Sequence, residues 1–186
     1  DIVEERTKGV SREDSLRIIL EELNLSVDKD RFQYLTNRKN QCYIESLNQL
    51  TSEDILPGIF ELIKELKQKG IKIALASASH NGPFILEKIG LFDSFDTIVD
   101  PGKLSRGKPD PEIFEVASAQ LGLTPKDCVG IEDSIAGIEA INSAGSCSIG
   151  VGDDKLSEAF RRVSSTKELS VTLLQDSWKN FVNDKL

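Results

Sequence analysis

From residue 57 onward the chain alternates between short apolar runs and amphipathic stretches, and no other feature narrows its possible folds as much. Pro57 and Gly58 open a predicted helix with Ile59, Leu62, Ile63 and Leu66 on one face, and Gly70 ends it. Ile71-Lys72-Ile73-Ala74-Leu75-Ala76 reads as a strand whose partly continuous apolar character suits a parallel sheet. A polar turn, a helix to about residue 89 and a strand over 97–99 follow. After a Pro/Gly-rich loop over 101–111 come a helix to residue 121, a strand over 128–131, a helix over 135–144 and a strand over 147–151. A helix near 155–161, a short strand at 162–163 and a helix over 170–183 finish the pattern. Such alternation predicts an α/β fold with a doubly wound parallel sheet, whose ligands bind beyond the carboxyl ends of the strands.

The stretch before residue 54 has a different texture. It is polar and helical, with no strand pattern. Ser11 followed by Asp14 reads as a capping box, with Asp in place of the preferred Glu or Gln. Leu16, Ile19, Leu20 and Leu23 then recur at helical spacing, and a second helix is predicted over 29–47. Two units are therefore expected, a small helical one over residues 1–54 and a sheet-centred core over 55–186.

Charge and composition exclude some functions. The net charge of −8 disfavours sequence-independent nucleic-acid binding, which needs a basic surface, but leaves room for a small anion held by a few local cations. No apolar run approaches the ~20 residues that span a bilayer. Cys42, Cys128 and Cys147 match no metal or redox spacing and are read as reduced, mostly buried thiols of a cytoplasmic protein. A monomer is the expected state.

Three strand ends carry residues suited to chemistry. Ser77-Ala78-Ser79-His80-Asn81 lies between a strand and a helix, where hydroxyls and free amides suit a phosphate, although Ser and Asn also favour such turns for purely local reasons. Lys108, in Gly107-Lys108-Pro109-Asp110-Pro111, is aimed by a proline-stiffened loop and could neutralise a phosphoryl group, or could simply be solvated. Glu132-Asp133 closes an apolar strand. Hard oxygen donors there suit Mg²⁺, whereas the plainer structural reading is a helix cap.

A hydroxyl turn, a loop lysine and a carboxylate pair at successive strand ends resemble the ordered motifs of the haloacid-dehalogenase superfamily. Lys8-Gly9-Val10-Ser11-Arg12-Glu13-Asp14-Ser15, Arg38-Lys39-Asn40, Asn81-Gly82-Pro83-Phe84 and Gly150-Val151-Gly152 further resemble its β-phosphoglucomutase family. This resemblance implies a helical cap over a Rossmann-like core and a Mg²⁺-dependent mutase joining β-D-glucose 1-phosphate to glucose 6-phosphate. The route it implies runs through an aspartyl-phosphate and glucose 1,6-bisphosphate. It also implies that Ser77 and Lys108 act on the transferring phosphoryl group, that Asp133 holds the metal, and that Glu132 supports it through water. Arg12, with Ser79 and Asn81, would grip the other phosphate, while Lys8 and Lys39 would contact the substrate. His80 departs from the pattern, because these sugar-phosphate mutases usually carry Lys there.

The superfamily's nucleophile is an Asp of an Asp-x-Asp motif on the first, central strand. Asp28-Lys29-Asp30 has the spacing but lacks an apolar strand before it, so it is not that motif. The chain starts at Asp1 and contains no methionine, so the motif is expected upstream of residue 1 and the chain by itself is expected to be inactive. Two rival readings remain, a small-molecule phosphatase on the same scaffold and a non-catalytic phosphosugar-binding or regulatory relative.

Overall fold

The computed structural model describes residues 2–152 and 154–184. Helices α1 (Ile2–Thr7), α2 (Arg12–Glu22) and α3 (Lys29–Leu47) come first, and each of the last two starts on a side-chain cap. The Ser11 hydroxyl oxygen accepts the Asp14 amide at 3.1 Å and the hydroxyl donates to the Asp14 carboxylate at 2.6 Å. Asp28 accepts the Arg31 amide at 2.8 Å, so Asp28-Lys29-Asp30 is the start of a helix. Leu16 of α2 and Leu47 of α3 are buried. Thr36 is buried with them because its hydroxyl donates to the Phe32 carbonyl.

Helix α4 (Ile59–Gln68) begins the alternating part. Gly58 precedes it at φ +85°, and a Cβ there would lie 3.1 Å from the Thr166 carbonyl oxygen. The chain needs glycine to pass this close in a left-handed conformation, and the Thr166 hydroxyl fastens the crossing by donating to the Pro57 carbonyl at 2.8 Å. Strands β1 (Ala74–Leu75) and β2 (Thr97–Ile98) pair in parallel across α5 (Gly82–Lys88). After α6 (Glu112–Gln120), strand β3 (Val129–Glu132) pairs in parallel with β4 (Cys147–Val151) across α7 (Ile135–Ala144), and β4 pairs with β5 (Arg161–Val163). Helix α8 (Val171–Asn183) returns over the sheet. Leu62 and Leu66 of α4 pack with Ile149, Val163 and Leu174 as one core cluster, and Ile138 and Ile141 of α7 form another with Leu156.

The parallel α/β expectation holds, and the sheet consists of two parts, β1–β2 and β3–β4–β5. Between them lies a cavity of about 530 Å³ bordered by residues 73–76 and 128–132 and walled by Leu62, Leu66 and Leu174 on one hand and Phe114 and Ala117 on the other.

Two predicted elements are corrected. The predicted helix near 155–161 is absent: residues 155–160 form turns and bends, and Arg161 opens β5. Side chains satisfy their backbone in place of a helical ladder: Asn142 donates to the Glu158 carbonyl, Arg162 donates to the Asp154 carbonyl, and the Ser148 hydroxyl oxygen accepts the Phe160 amide. Leu156, 2% exposed, anchors the turn under α7. The first strand is shorter than the apolar run 71–76, because Asp96 takes both backbone groups of Ile73: its carboxylate accepts the amide and its own amide donates to the carbonyl, each at 2.8 Å. Of the cysteines, Cys147 is buried, Cys128 half-buried and Cys42 exposed, so the expectation of mostly buried thiols fails at Cys42.

Ile141 is fully buried under β3 and packs with Ile138 and Leu156. Ile141→Ala is expected to lower stability by about 2–5 kcal/mol, read as a fall in the urea midpoint with little change in slope.

Candidate functional site

The site forms where β3 ends. The strand delivers Glu132 inward, and the carboxylate meets Lys108, which the loop between β2 and α6 carries across from the neighbouring layer. Lys108 Nζ donates to Glu132 Oε2 at 2.6 Å, with 6% of the lysine and 9% of the glutamate side chain exposed. The ammonium also lies 5.0 Å from the centre of the Phe114 ring, a cation–π distance. The other carboxylate oxygen, Oε1, accepts the amides of Asp133 and Ser134 at 3.0 and 3.2 Å and the Ser134 hydroxyl at 3.0 Å. Both carboxylate oxygens accept hydrogen bonds and the ammonium has an acceptor and a ring face, the kind of pairing that keeps an ion pair out of water tolerable.

Neighbouring acids therefore behave differently. Burial pushes the Glu132 pKa up, but the Lys108 charge and the hydrogen bonds from Lys108 and Asp133 outweigh it and hold the carboxyl below the ordinary glutamate value. Asp133 opens to solvent along one side, yet burial is the main cause of a raised pKa there. The Glu132 side chain, through its hydrogen bond and its negative charge, raises it further, with partial relief from the Asp133 amide and from the charge of Lys8. A carboxylate held against its preference in this way gains from a nearby cation. Among the described residues no cluster of three or more His, Cys, Asp or Glu could cage a metal. A one- or two-carboxylate site of this kind suits Mg²⁺, which retains waters and shares its coordination with phosphate.

The hydroxyl turn follows β1. Ser77 Oγ accepts the Ser79 amide at 3.1 Å, and Ser79 Oγ accepts the Asn81 amide at 3.2 Å, so each serine is locked in an ordered turn at the N-terminal side of α5. Asn81 donates from its side chain to the Asn40 side-chain oxygen Oδ1 at 3.1 Å, which joins this turn to α3. Ala78, His80 and Lys108 border one cavity of about 190 Å³ with Ser11, Asp14 and Arg106, so the turn and the lysine loop share a pocket with the start of α2. Arg12 is the first residue of α2 and half-buried, while Lys8 and Lys39 are exposed.

Two contacts at the site were not anticipated from sequence. Gly9, at φ +72°, lies so close to Ser134 that a Cβ would fall 2.2 Å from its hydroxyl oxygen. Asn40, adjacent to the expected Lys39, supplies the hydrogen bond to Asn81. The clue for Ser134 was its place directly after the acidic pair and before a helix, the position of an N-cap; its oxygen accepts the Gly137 amide at 3.0 Å.

Known proteins resemble this chain along most of its length. The family described as haloacid dehalogenase-like hydrolase matches residues 6–145. A β-phosphoglucomutase of Bacillus subtilis (strain 168) is 45% identical over 183 residues, 95% of this chain and 80% of the relative. A phosphorylated carbohydrates phosphatase of Thermotoga maritima is 32% identical over 75% of this chain and 63% of its own length. A solved β-phosphoglucomutase from Clostridium difficile superposes with a TM-score of 0.94 at 40% identity, covering 98% of this chain and 83% of that one.

Breaking the buried pair exposes its energetics. Glu132→Gln leaves the Lys108 ammonium sheltered without a counter-charge and is expected to cost about 3–5 kcal/mol of stability. Because the Glu132 pKa is depressed on folding, its contribution is present above the ordinary value of 4.5 and is lost as pH falls through the folded-state value. Urea unfolding in chelator-containing buffer is expected to show wild type losing this increment on acidification, and Glu132→Gln showing a flatter acid limb.

Proposed function

The chain belongs to the haloacid dehalogenase-like hydrolase family, and from that premise we propose that its site serves a phosphosugar mutase interconverting β-D-glucose 1-phosphate and glucose 6-phosphate. The reading rests chiefly on one observation. The Lys108–Glu132 pair and Asp133 meet at a strand end, and the segment from Lys8 to Arg12 approaches them from the N-terminal helices. Residues 1–54 then act as a cap and residues 55–186 as the core.

In this proposal the Ser77 hydroxyl and the amides of its turn receive the transferring phosphoryl group, and Lys108 neutralises the charge that spreads over its oxygens. Asp133 would hold Mg²⁺ directly. Glu132, whose oxygens already accept hydrogen bonds, would support it through water; the ion would add further charge neutralisation at the phosphoryl group. Arg12 offers a planar fork to the non-transferring phosphate, assisted by Ser79, His80 and Asn81, while Lys8 and Lys39 contact the substrate from the cap. A mutase needs this second grip, because its bisphosphate intermediate must turn and present either end to one centre.

The nucleophile is an Asp carried on an extended strand. The cavity between β1 and β3 suits such a strand: it is apolar on its walls and bordered by two parallel strand edges. Phosphoryl transfer to that Asp, and from it to the sugar, passes through an aspartyl-phosphate and glucose 1,6-bisphosphate.

The phosphatase reading draws on relatives named as phosphatases, among them that of Thermotoga maritima. Greater identity over more of the chain favours the mutase. A coupled assay of protein carrying the Asp-x-Asp strand decides between them. Conversion of β-glucose 1-phosphate to glucose 6-phosphate is expected, and release of inorganic phosphate without conversion would refute the mutase. Removing the phosphate fork with Arg12→Ala is expected to lower mutase turnover by about 10- to 100-fold, and removal of Mg²⁺ by chelation is expected to abolish it.

A further inference from the structure

Glu132 does not extend past the end of β3. Its side chain folds back over the first turn of α7, into space that exists only because residue 137 has no side chain. A Cβ on Gly137 would fall 2.1 Å from the Glu132 Cδ and Oε2 and 2.2 Å from its Cγ. Gly137 is buried and lies in an ordinary helical turn, with no positive φ to require glycine there, so room for Glu132 is the reason that remains. Ser134 completes the grip. Its hydroxyl donates to Glu132 Oε1 at 3.0 Å, its oxygen accepts the Gly137 amide at 3.0 Å, and Ser134 is 1% exposed. The backbone at Gly9 approaches the same hydroxyl from the turn between α1 and α2, so closely that no side chain fits between them.

We infer that Gly137 and Ser134 are positioning residues for phosphate binding, acting through Glu132 to set where the Lys108 ammonium stands. The two form the back and side of a mould for the carboxylate, and the carboxylate in turn fixes Nζ at 2.6 Å. The Lys108 stem has several rotatable bonds, so without this mould the ammonium would lose its single position. The inference rests on the reading of Lys108 as a phosphate-neutralising group, but it needs neither the mutase activity nor the nucleophile.

The test uses orthophosphate as the probe, titrated calorimetrically into the full chain in Mg²⁺ buffer. Gly137→Ala and Ser134→Ala are each expected to weaken binding by about 10-fold, the usual cost of losing an outer partner of a site. Glu132→Ala, which removes the carboxylate, is also expected to weaken it. The decisive comparison is Glu132→Ala/Gly137→Ala: truncation at Cβ removes the Cγ, Cδ and Oε2 that the added methyl would strike, so the pair is expected to bind as Glu132→Ala alone does. A merely structural glycine would impose its full loss on both backgrounds, and that result overturns the inference, as does wild-type affinity in Gly137→Ala. Should Gly137→Ala fail to fold, Ser134→Ala carries the test, and its binding orthophosphate like wild type overturns the inference. Wild type that binds orthophosphate, paired with Asp-x-Asp-bearing protein that leaves β-glucose 1-phosphate unconverted, refutes the mutase alone. No orthophosphate binding by wild type refutes both.

Discussion

The contact between Lys108 and Glu132 is the point on which the rest of this structure turns. It joins a loop from one half of the sheet to a strand end in the other, with both charges almost out of water. Neither partner is tolerable there alone, since a lone buried charge costs several kcal/mol. The chain meets the cost with four donors to the carboxylate: two strand-end amides, one hydroxyl and the ammonium itself. Asp133, one residue further on, is left with an unfavourable negative neighbour and an open side. One pair of adjacent acids thus divides into a structural anion and a cation-seeking one.

Packing follows from the same arrangement. The parallel strands place their carboxyl ends together, and α4, α6, α7 and α8 supply the apolar cover. The N-terminal helices approach that end through small groups: Gly9 against Ser134, and Asn40 against Asn81. Close approach of backbone, rather than a broad apolar face, brings Lys8 within electrostatic reach of Asp133.

Much of this was legible in the residues. Helix α3 begins and ends where its periodicity placed it, and α7 and β4 do likewise, because apolar spacing and terminal Gly or polar caps agree there. The Ser11–Asp14 cap was readable as a local motif. Residues 155–161 were not, since their short periodic run is overruled by side chains 8 to 16 residues away, donors on Asn142 and Arg162 and an acceptor on Ser148, that the periodicity of the run does not register. The length of β1 was hidden for the same reason, resting on Asp96, which lies 23 residues from Ile73. Lys108, Glu132 and Asp133 could be picked out as separate strand-end features. Their pairing, and the role of a glycine five residues after Glu132, depend on a fold-back of the side chain that one-dimensional spacing does not encode.

The two ties between the N-terminal helices and the strand ends differ in kind. Asn40 to Asn81 is a neutral amide pair, indifferent to electrolyte, whereas Lys8 acts on Asp133 through a field that mobile ions attenuate over about 8 Å at physiological strength. In brine the electrostatic contribution weakens while the amide hydrogen bond persists, so electrolyte acts on one of the two ties and spares the other.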